Sequence, residues 1–166
     1  MAATRLDTKR EEKTRLDSKL EAKGAEFLVL GNLLIEGIEA HEAYRNAPGC
    51  DLIATSPTKG SSCRIQVKSR WATDANGFII NNFDSDFVIY VSLNRGYRYT
   101  KKRLAEAKQA PEFYVIPTAV VTKAKRVTAF GNVYLRDFPD LKKYRNRWEL
   151  ISEHLDRRRP RSPRTA

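Results

Sequence analysis

Residues 50–70 read CDLIATSPTKGSSCRIQVKSR, and this stretch decides the fold. Two runs rich in apolar and β-branched residues, CDLIATS and CRIQVKSR, flank the segment SPTKGSS, whose Pro, Gly and serines are typical of a turn. The stretch therefore predicts a β-hairpin. If the turn is centred between Thr58 and Lys59, Asp51 lies directly opposite Gln66, with their Cβ atoms about 4.5–5.5 Å apart.

This register predicts one polar and one apolar face, because side chains alternate between the two faces of a strand. The polar face carries Asp51, Gln66 and Lys68, grouped at one end of the hairpin. The apolar face carries aliphatic side chains such as Leu52 and Ile65, which we expect to pack on a core. On alternation alone, an exposed ion pair between Asp51 and Lys68 is the more common arrangement, and such pairs stabilise proteins only weakly.

An apolar stretch before the hairpin, AEFLVLGNLLIEG, predicts a largely buried helix that stops near Gly37. Its first half carries one acid, Glu26, which can reach the same end of the hairpin as Asp51. Two carboxylates and the amide oxygen of Gln66 make an all-oxygen site of the kind that Mg²⁺ or Mn²⁺ prefers. Beside such an ion, Lys68 would orient a water molecule or stabilise developing negative charge.

Three segments together resemble the PD-(D/E)xK nuclease superfamily. They are GAE at 24–26, GCDLIA at 49–54 and CRIQVKSR at 63–70, in the order and spacing of that family. The resemblance is to the branch that contains Holliday-junction-resolvase-like proteins and homing and restriction endonucleases, in a QxK variant. It covers roughly residues 24–117.

The resemblance implies a restriction-endonuclease-like core and an endonuclease that hydrolyses DNA phosphodiester bonds with Mg²⁺ or Mn²⁺. By motif position, Asp51 would be the central metal ligand and Lys68 the catalytic lysine. Glu26 and the carbonyl of Val67 would complete the metal site. Gln66 departs from the family pattern, because a neutral amide stands where most members carry a carboxylate. The metal site then has one negative charge fewer, so metal binding should be weaker or Glu26 must contribute more.

The other segments predict one α+β domain of the three-layer type, in which helices flank a central mixed sheet. DFVIYVSLN is the strongest strand, and EFYVIPTAVV is another strand, closed by Pro117. Pro139 opens a predicted helix, LKKYRNRWELISEHL, whose apolar residues are spaced by three and four. We expect a charged, helix-prone extension at 1–23, the nuclease-like domain at 24–155 and a basic disordered tail at 156–166.

The net charge favours a polyanionic partner, since 31 Lys and Arg face 20 Asp and Glu, a formal charge of +11. DNA, duplex or branched, is the expected partner, and a homodimer is expected by analogy with the family. A loop after the strongest strand, NRGYRYTKKR at 94–103, mixes cations with tyrosines, which suits phosphate contacts and base stacking. An ordinary solvated loop stays open as an alternative. The predicted nucleic-acid-binding residues are Arg95, Tyr97, Arg98, Tyr99, Lys101, Lys102 and Arg103.

The cysteines and histidines predict no site. Cys50 and Cys63 are out of register in the hairpin and too far apart for a disulfide. His41 and His154 lie far apart in the sequence and beside no motif, so we expect no Cys/His metal cluster. Two acids before the strongest strand, Asp84 and Asp86, are predicted to form a turn and the start of that strand.

The chain shows no signal peptide and no apolar run long enough for a membrane span, so we expect a cytoplasmic protein, nucleoid-associated if bacterial. Two other functions stay open. One is a noncatalytic nucleic-acid-binding protein on the same fold, and the other is an assembly or partner-binding protein that uses the charged N-terminal helix.

Overall fold

The computed structural model describes residues 17–44, 47–98, 108–124 and 130–157. Within these ranges the helices are α1 (Ser18–Ile35), α2 (Thr118–Ala124) and α3 (Glu149–Asp156). The strands are β1 (Glu39–Glu42), β2 (Leu52–Ser56), β3 (Ser61–Arg70), β4 (Gly77–Ile79), β5 (Phe87–Ser92), β6 (Glu112–Pro117) and β7 (Asn132–Tyr134). Two single-turn 3₁₀ helices, Leu135–Asp137 and Leu141–Tyr144, precede α3.

The main sheet has five strands in the order β1-β2-β3-β5-β6. β3 and β5 are parallel and the other neighbours are antiparallel, while β4 and β7 form a separate two-stranded sheet. One apolar core lies between the main sheet and α1 with α3, and a second lies between the sheet and α2 with the small sheet. The predicted α+β class with a mixed, helix-flanked sheet is confirmed.

From Leu52 to Ser56 the hairpin of β2 and β3 has the predicted register, whereas Asp51, predicted to lie opposite Gln66, bonds one residue off it, to Ile65 O. Leu52 pairs with Ile65 and Ala54 pairs with Cys63, and all four side chains are fully buried in the first core. Gln66 lies on the other face of the sheet, next to Val88 of the second core. The hairpin therefore presents two different faces, as the alternation of the sequence predicts.

α1 is less buried than its composition predicts. Ala25, Val29 and Leu33 are fully buried, but the side of α1 that faces away from the sheet leaves Phe27 54% and Ile35 84% exposed. The prediction of a largely buried helix is wrong, because only one face of the helix has a layer to pack against.

α1 ends at a glycine cap near the predicted position. Gly37 has φ +75°, its N–H donates to Leu34 O (3.1 Å), and the N–H of Ile38 donates to Leu33 O (2.8 Å). This is a Schellman motif, in which the left-handed residue favours glycine.

We expect Gly37→Ala to lower the free energy of unfolding by about 1 kcal/mol, because alanine pays for the left-handed backbone. Gly31→Ala, inside α1, should raise it by about 0.5–1 kcal/mol through helix propensity. A Cβ at either position meets nothing within 4 Å, so neither substitution changes the packing and the two variants differ only in backbone conformation. Urea unfolding of both variants measures the difference, and equal effects would contradict the cap.

The segment after Pro139 differs from the predicted continuous helix. It begins with a 3₁₀ turn. Arg145 is extended and forms an isolated β-bridge with Tyr114 of β6, and Asn146 follows at φ +52°. The N–H of Asn146 donates to Phe113 O (2.9 Å), so pairing with the edge strand β6 replaces helical bonds there. The prediction was wrong for this half, and only α3 keeps the helical spacing.

A second difference follows Pro117. The strand in EFYVIPTAVV ends at Pro117, where its closure was predicted, but the four residues after Pro117 belong to α2. The N–H of Thr118 donates to Asp86 O (3.0 Å), and Val121 is buried in the second core, so tertiary contacts override the β propensity of the two valines. Among the described residues, no helix combines the length and apolarity that crossing a membrane requires.

Candidate active site

Asp51 lies just before β2, at a point where the ladder to β3 shifts. Its N–H donates to Ile65 O (2.8 Å), one residue off the Leu52–Ile65 register, and its Oδ2 accepts the N–H of Val67 (2.7 Å). An offset of this kind is characteristic of a β-bulge, which re-aims a side chain. The Asp51 carboxylate is therefore held against the middle of β3.

The turn before Asp51 sets this position. Cys50 N–H donates to Ala47 O (3.2 Å), and Gly49 adopts φ +68°. A Cβ on Gly49 would lie 2.3 Å from Oδ1 of Asn82, so another residue would displace that side chain and strain the left-handed backbone of the turn.

Gln66 carries a buried oxygen without a partner. Its side chain is 7% exposed, and no described residue donates a hydrogen bond to its Oε1. An unsatisfied buried amide oxygen costs about 1–3 kcal/mol. Amide oxygens of this kind are among the ligands that a hard cation accepts.

Lys68 lies two residues further along the same face of β3, opposite Tyr90 of β5. Burial lowers the pKa of Lys68, the Asp51 carboxylate opposes this shift, and the Arg70 guanidinium adds to it. Asp51 and Lys68 therefore act on each other electrostatically, and the lysine is partly withdrawn from water.

The carbonyl of Val67 points towards Asp51. Successive residues of a strand direct their N–H and C=O groups to opposite neighbours, and the Val67 N–H is directed to the Asp51 carboxylate. Its C=O has the same direction and lies beyond the paired length of β2, which begins at Leu52. This carbonyl is therefore directed to the same side of β3 as the N–H that the Asp51 carboxylate accepts.

Glu26 is held to one side of this cluster. The Lys23 ammonium lies 3.0 Å from Glu26 Oε2 and also pairs with Glu42 of β1. Glu42 pairs with Leu52, and the N–H of Ala43 donates to Asp51 O (2.9 Å), so Lys23 ties Glu26 to the Asp51 end of β2.

The structure thus places Gln66 and Lys68 on one face of β3, and Asp51 contacts the backbone of Val67 between them and acts electrostatically on Lys68. In the part of the chain that the structure describes, no hydrogen bond or ion pair joins Glu26 directly to any of these three. Lys23 and Glu42 were missed by the sequence analysis. Extending the hairpin register to the strand EAHE would have placed Glu42 beside Leu52.

The basic loop that follows β5 begins at the end of the sheet where β3 also ends, two residues after Lys68. β3 and β5 are parallel, so their carboxyl ends coincide, and the N–H of Arg95 donates to Trp71 O (2.9 Å). Arg95 and Arg98 are exposed, Tyr97 is partly buried, and the N–H of Arg98 donates to Asp74. The other predicted residues, Tyr99, Lys101, Lys102 and Arg103, lie outside the described residues.

No protein-family model matches the chain, and no curated protein matches it in sequence. Among solved structures, the chain is similar to a bacterial homing endonuclease, I-Ssp6803I. The two are 20% identical, the likeness covers 83% of this chain and 93% of that one, and the TM-score is 0.50. The chain shares the fold of a homing endonuclease. At this identity the likeness shows the fold alone.

The fold of this chain also brings together three potential metal ligands that are distant in the sequence. Ligand atoms of Cys63, Asp86 and His154 lie within 4.8 Å of one another, so the expectation of no Cys/His metal cluster is wrong. α3 packs on β3 and brings the histidine to the cysteine. Asp86 stands at the start of β5, as predicted, where it exchanges hydrogen bonds with the backbone of Arg64.

Proposed function

We propose that this chain is a divalent-metal-dependent endonuclease of the PD-(D/E)xK type, in a QxK form, which hydrolyses DNA phosphodiester bonds. The observation that carries the proposal is the partnerless, buried Oε1 of Gln66, two residues before Lys68, on which the Asp51 carboxylate acts electrostatically. A buried polar atom without a partner in a native fold calls for an explanation, and a bound cation supplies one.

Asp51, Gln66, Glu26 and the carbonyl of Val67 would hold Mg²⁺ or Mn²⁺. All four donors are oxygens, which suits these ions. When bound, the ion would polarise a phosphoryl oxygen and lower the pKa of a water molecule. Lys23 now pairs with both Glu26 and Glu42, so a metal ion bound by Glu26 would compete with this ammonium for the carboxylate.

Lys68 supplies positive charge to the pentavalent phosphate and orients the attacking water. Its partial burial strengthens this interaction, because an electrostatic contact gains energy as water is excluded. The Val67 N–H fixes the Asp51 carboxylate before substrate arrives, so little reorganisation accompanies the reaction. Arg95 and Arg98, at the same edge, would bind flanking phosphates.

The partner that we propose is DNA, duplex or branched, in the cytoplasm or at a nucleoid. The +11 charge supports a polyanionic ligand. The homodimer implied by the family resemblance stays a prediction, and light scattering of the full chain tests it.

The experiment is cleavage of supercoiled plasmid, four-way junction and single-stranded DNA by the full chain. We expect products with Mg²⁺ or Mn²⁺ and none with EDTA. A protein that binds all three DNAs but cuts none with either ion would favour the second candidate, a noncatalytic DNA-binding protein. The neutral Gln66 is the observation that favours this alternative.

Gln66→Glu is expected to tighten Mn²⁺ binding about tenfold, because it restores a negative charge to the ligand set. The metal-free variant should be less stable than wild type, since it buries a carboxylate. Mn²⁺ paramagnetic resonance measures the affinity. The exposed Gln109→Glu adds the same charge elsewhere and should change nothing. Equal effects of the two substitutions would exclude Gln66 as a ligand.

A further inference from the structure

A second group of metal-ligating side chains lies on the opposite face of the hairpin. Cys63 of β3 is fully buried in the first core, whereas Gln66 and Lys68 face the other side of the sheet. Asp86 precedes β5, and His154 lies on α3. One donor atom from each lies within 4.8 Å of the other two.

Each of the three donors is available. Asp86 Oδ2 accepts the N–H of Arg64, which leaves Oδ1 facing His154 Nε2 at 3.7 Å. That distance exceeds a normal hydrogen bond, so both atoms can take a common partner. No hydrogen bond to the Cys63 thiol is seen among the described residues, whereas the other thiol, Cys50, donates to Leu52 O (3.3 Å).

Two of the three residues are partly exposed to solvent and the third is buried. The side chains of Asp86 and His154 are 38% and 37% exposed, while Cys63 lies beneath them. The ring of His154 stands edge-on to Phe87, with centroids 5.6 Å apart, so the imidazole is partly oriented before a ligand binds. An ion can enter past the two outer residues, and water can occupy the side towards solvent.

We propose that Cys63 Sγ, Asp86 Oδ1 and His154 Nε2 bind one Zn²⁺, with water as the fourth ligand. A mixed sulfur, nitrogen and oxygen set suits Zn²⁺ and excludes Mg²⁺, which prefers oxygen alone. Zn–S and Zn–N bonds of about 2.3 and 2.0–2.1 Å require the three donors to draw closer, through small rotations of the partly exposed Asp86 and His154 side chains.

Binding replaces a proton by the metal. The Cys63 S–H bond breaks, its proton passes to solvent, and the S–Zn bond forms as the ion loses water ligands. Burial raises the pKa of the Cys63 thiol, and the Asp86 carboxylate adds to this, so the metal-free thiol is protonated. The bound ion would clamp α3 onto the starts of β3 and β5, independently of the Asp51 site.

The test is a Co²⁺ titration of the metal-free full chain with excess Mg²⁺ present. We expect one Co²⁺ per chain with a near-ultraviolet thiolate-to-cobalt charge-transfer band, which Zn²⁺ abolishes by displacement. Free Zn²⁺ at about 100 times Kd should raise Tm by roughly 5–10 °C. Asp51→Asn, in the separate oxygen site, should keep the band.

Four variants identify the ligands. Cys63→Ala and His154→Ala should lose the band, whereas Cys50→Ala and His41→Ala, the matched controls, should keep it. Cys63 is buried, so Cys63→Ala can fail to fold. In that case His154→Ala, at a partly exposed position, is sufficient to test the site. No charge-transfer band in wild type, or a band that survives His154→Ala unchanged in affinity, would overturn the zinc site.

Discussion

Lys68→Met is expected to lower the single-turnover rate of DNA cleavage about 10³-fold, while DNA affinity changes less than about threefold. Met keeps the length and the apolar stem of lysine but removes the charge that stabilises the phosphorane. Because Lys68 acts most strongly in the transition state, its loss should appear in the rate and not in binding. Quenched-flow cleavage and equilibrium binding of one labelled duplex measure both.

Lys59→Met is the matched control. Lys59 lies in the turn between β2 and β3, at the other end of the hairpin, and pairs with Asp156 (2.6 Å). It should cut at the wild-type rate. Equal losses in the two variants would mean that general charge, and not the Lys68 position, governs the reaction.

The Lys68→Met protein should also be at least as stable as wild type at neutral pH. The folded-state pKa of Lys68 is lowered by burial from the ordinary value of 10.5, so the charged form opposes folding. At pH values below the lowered pKa, the full free-energy penalty of burying the charged lysine applies. As pH rises towards 10.5, the folded state loses its proton before the unfolded chain does, and the penalty fades. Urea unfolding should therefore show the largest gain at neutral pH and a smaller gain in alkali.

Asp51→Asn is expected to weaken Mn²⁺ binding at least about tenfold and to lower cleavage about 10³-fold. The Asn oxygen can still accept the Val67 N–H, so the bulge should survive and Tm should change little. The loss then reports the missing charge and not a damaged fold. Paramagnetic resonance, cleavage and thermal unfolding are measured on the same preparation.

Asp84→Asn removes a carboxylate from an exposed loop residue and serves as the control. It should bind Mn²⁺ and cut DNA as wild type does. If Asp51→Asn bound Mn²⁺ with wild-type affinity while Asp84→Asn bound it more weakly, the metal would not be bound by Asp51.

The sequence pattern of residues 50–70 was sufficient to predict the hairpin. Pro57 and Gly60 mark the turn, and the alternation around Ile65 sets the faces, so the register from Leu52 to Ser56 was predicted correctly from residues close in sequence. The bulge at Asp51 was not predicted. The turn before it lies close to Asn82, more than 30 residues away in the sequence, and no local pattern contains that contact.

Long-range packing explains the remaining differences. His154 reaches Cys63 only because α3 packs on β3, and Arg145 leaves the helical path because it bridges to Tyr114. Glu26 was predicted from its helix position, but its link through Lys23 to Glu42 depends on where α1 meets β1. Periodicity describes which face is apolar, and it does not describe which partner covers that face.

The central claim is that Asp51, Gln66 and Lys68 form a metal-dependent nuclease centre. Single-turnover cleavage of fluorescent duplex and four-way junction DNA by wild type, Asp51→Asn and Asp84→Asn, with Mg²⁺, Mn²⁺ or EDTA, tests it most directly. We predict cleavage by wild type and Asp84→Asn with either metal, and almost none by Asp51→Asn or with EDTA. Cleavage that persists in EDTA, or that Asp51→Asn performs at the wild-type rate, would contradict this centre.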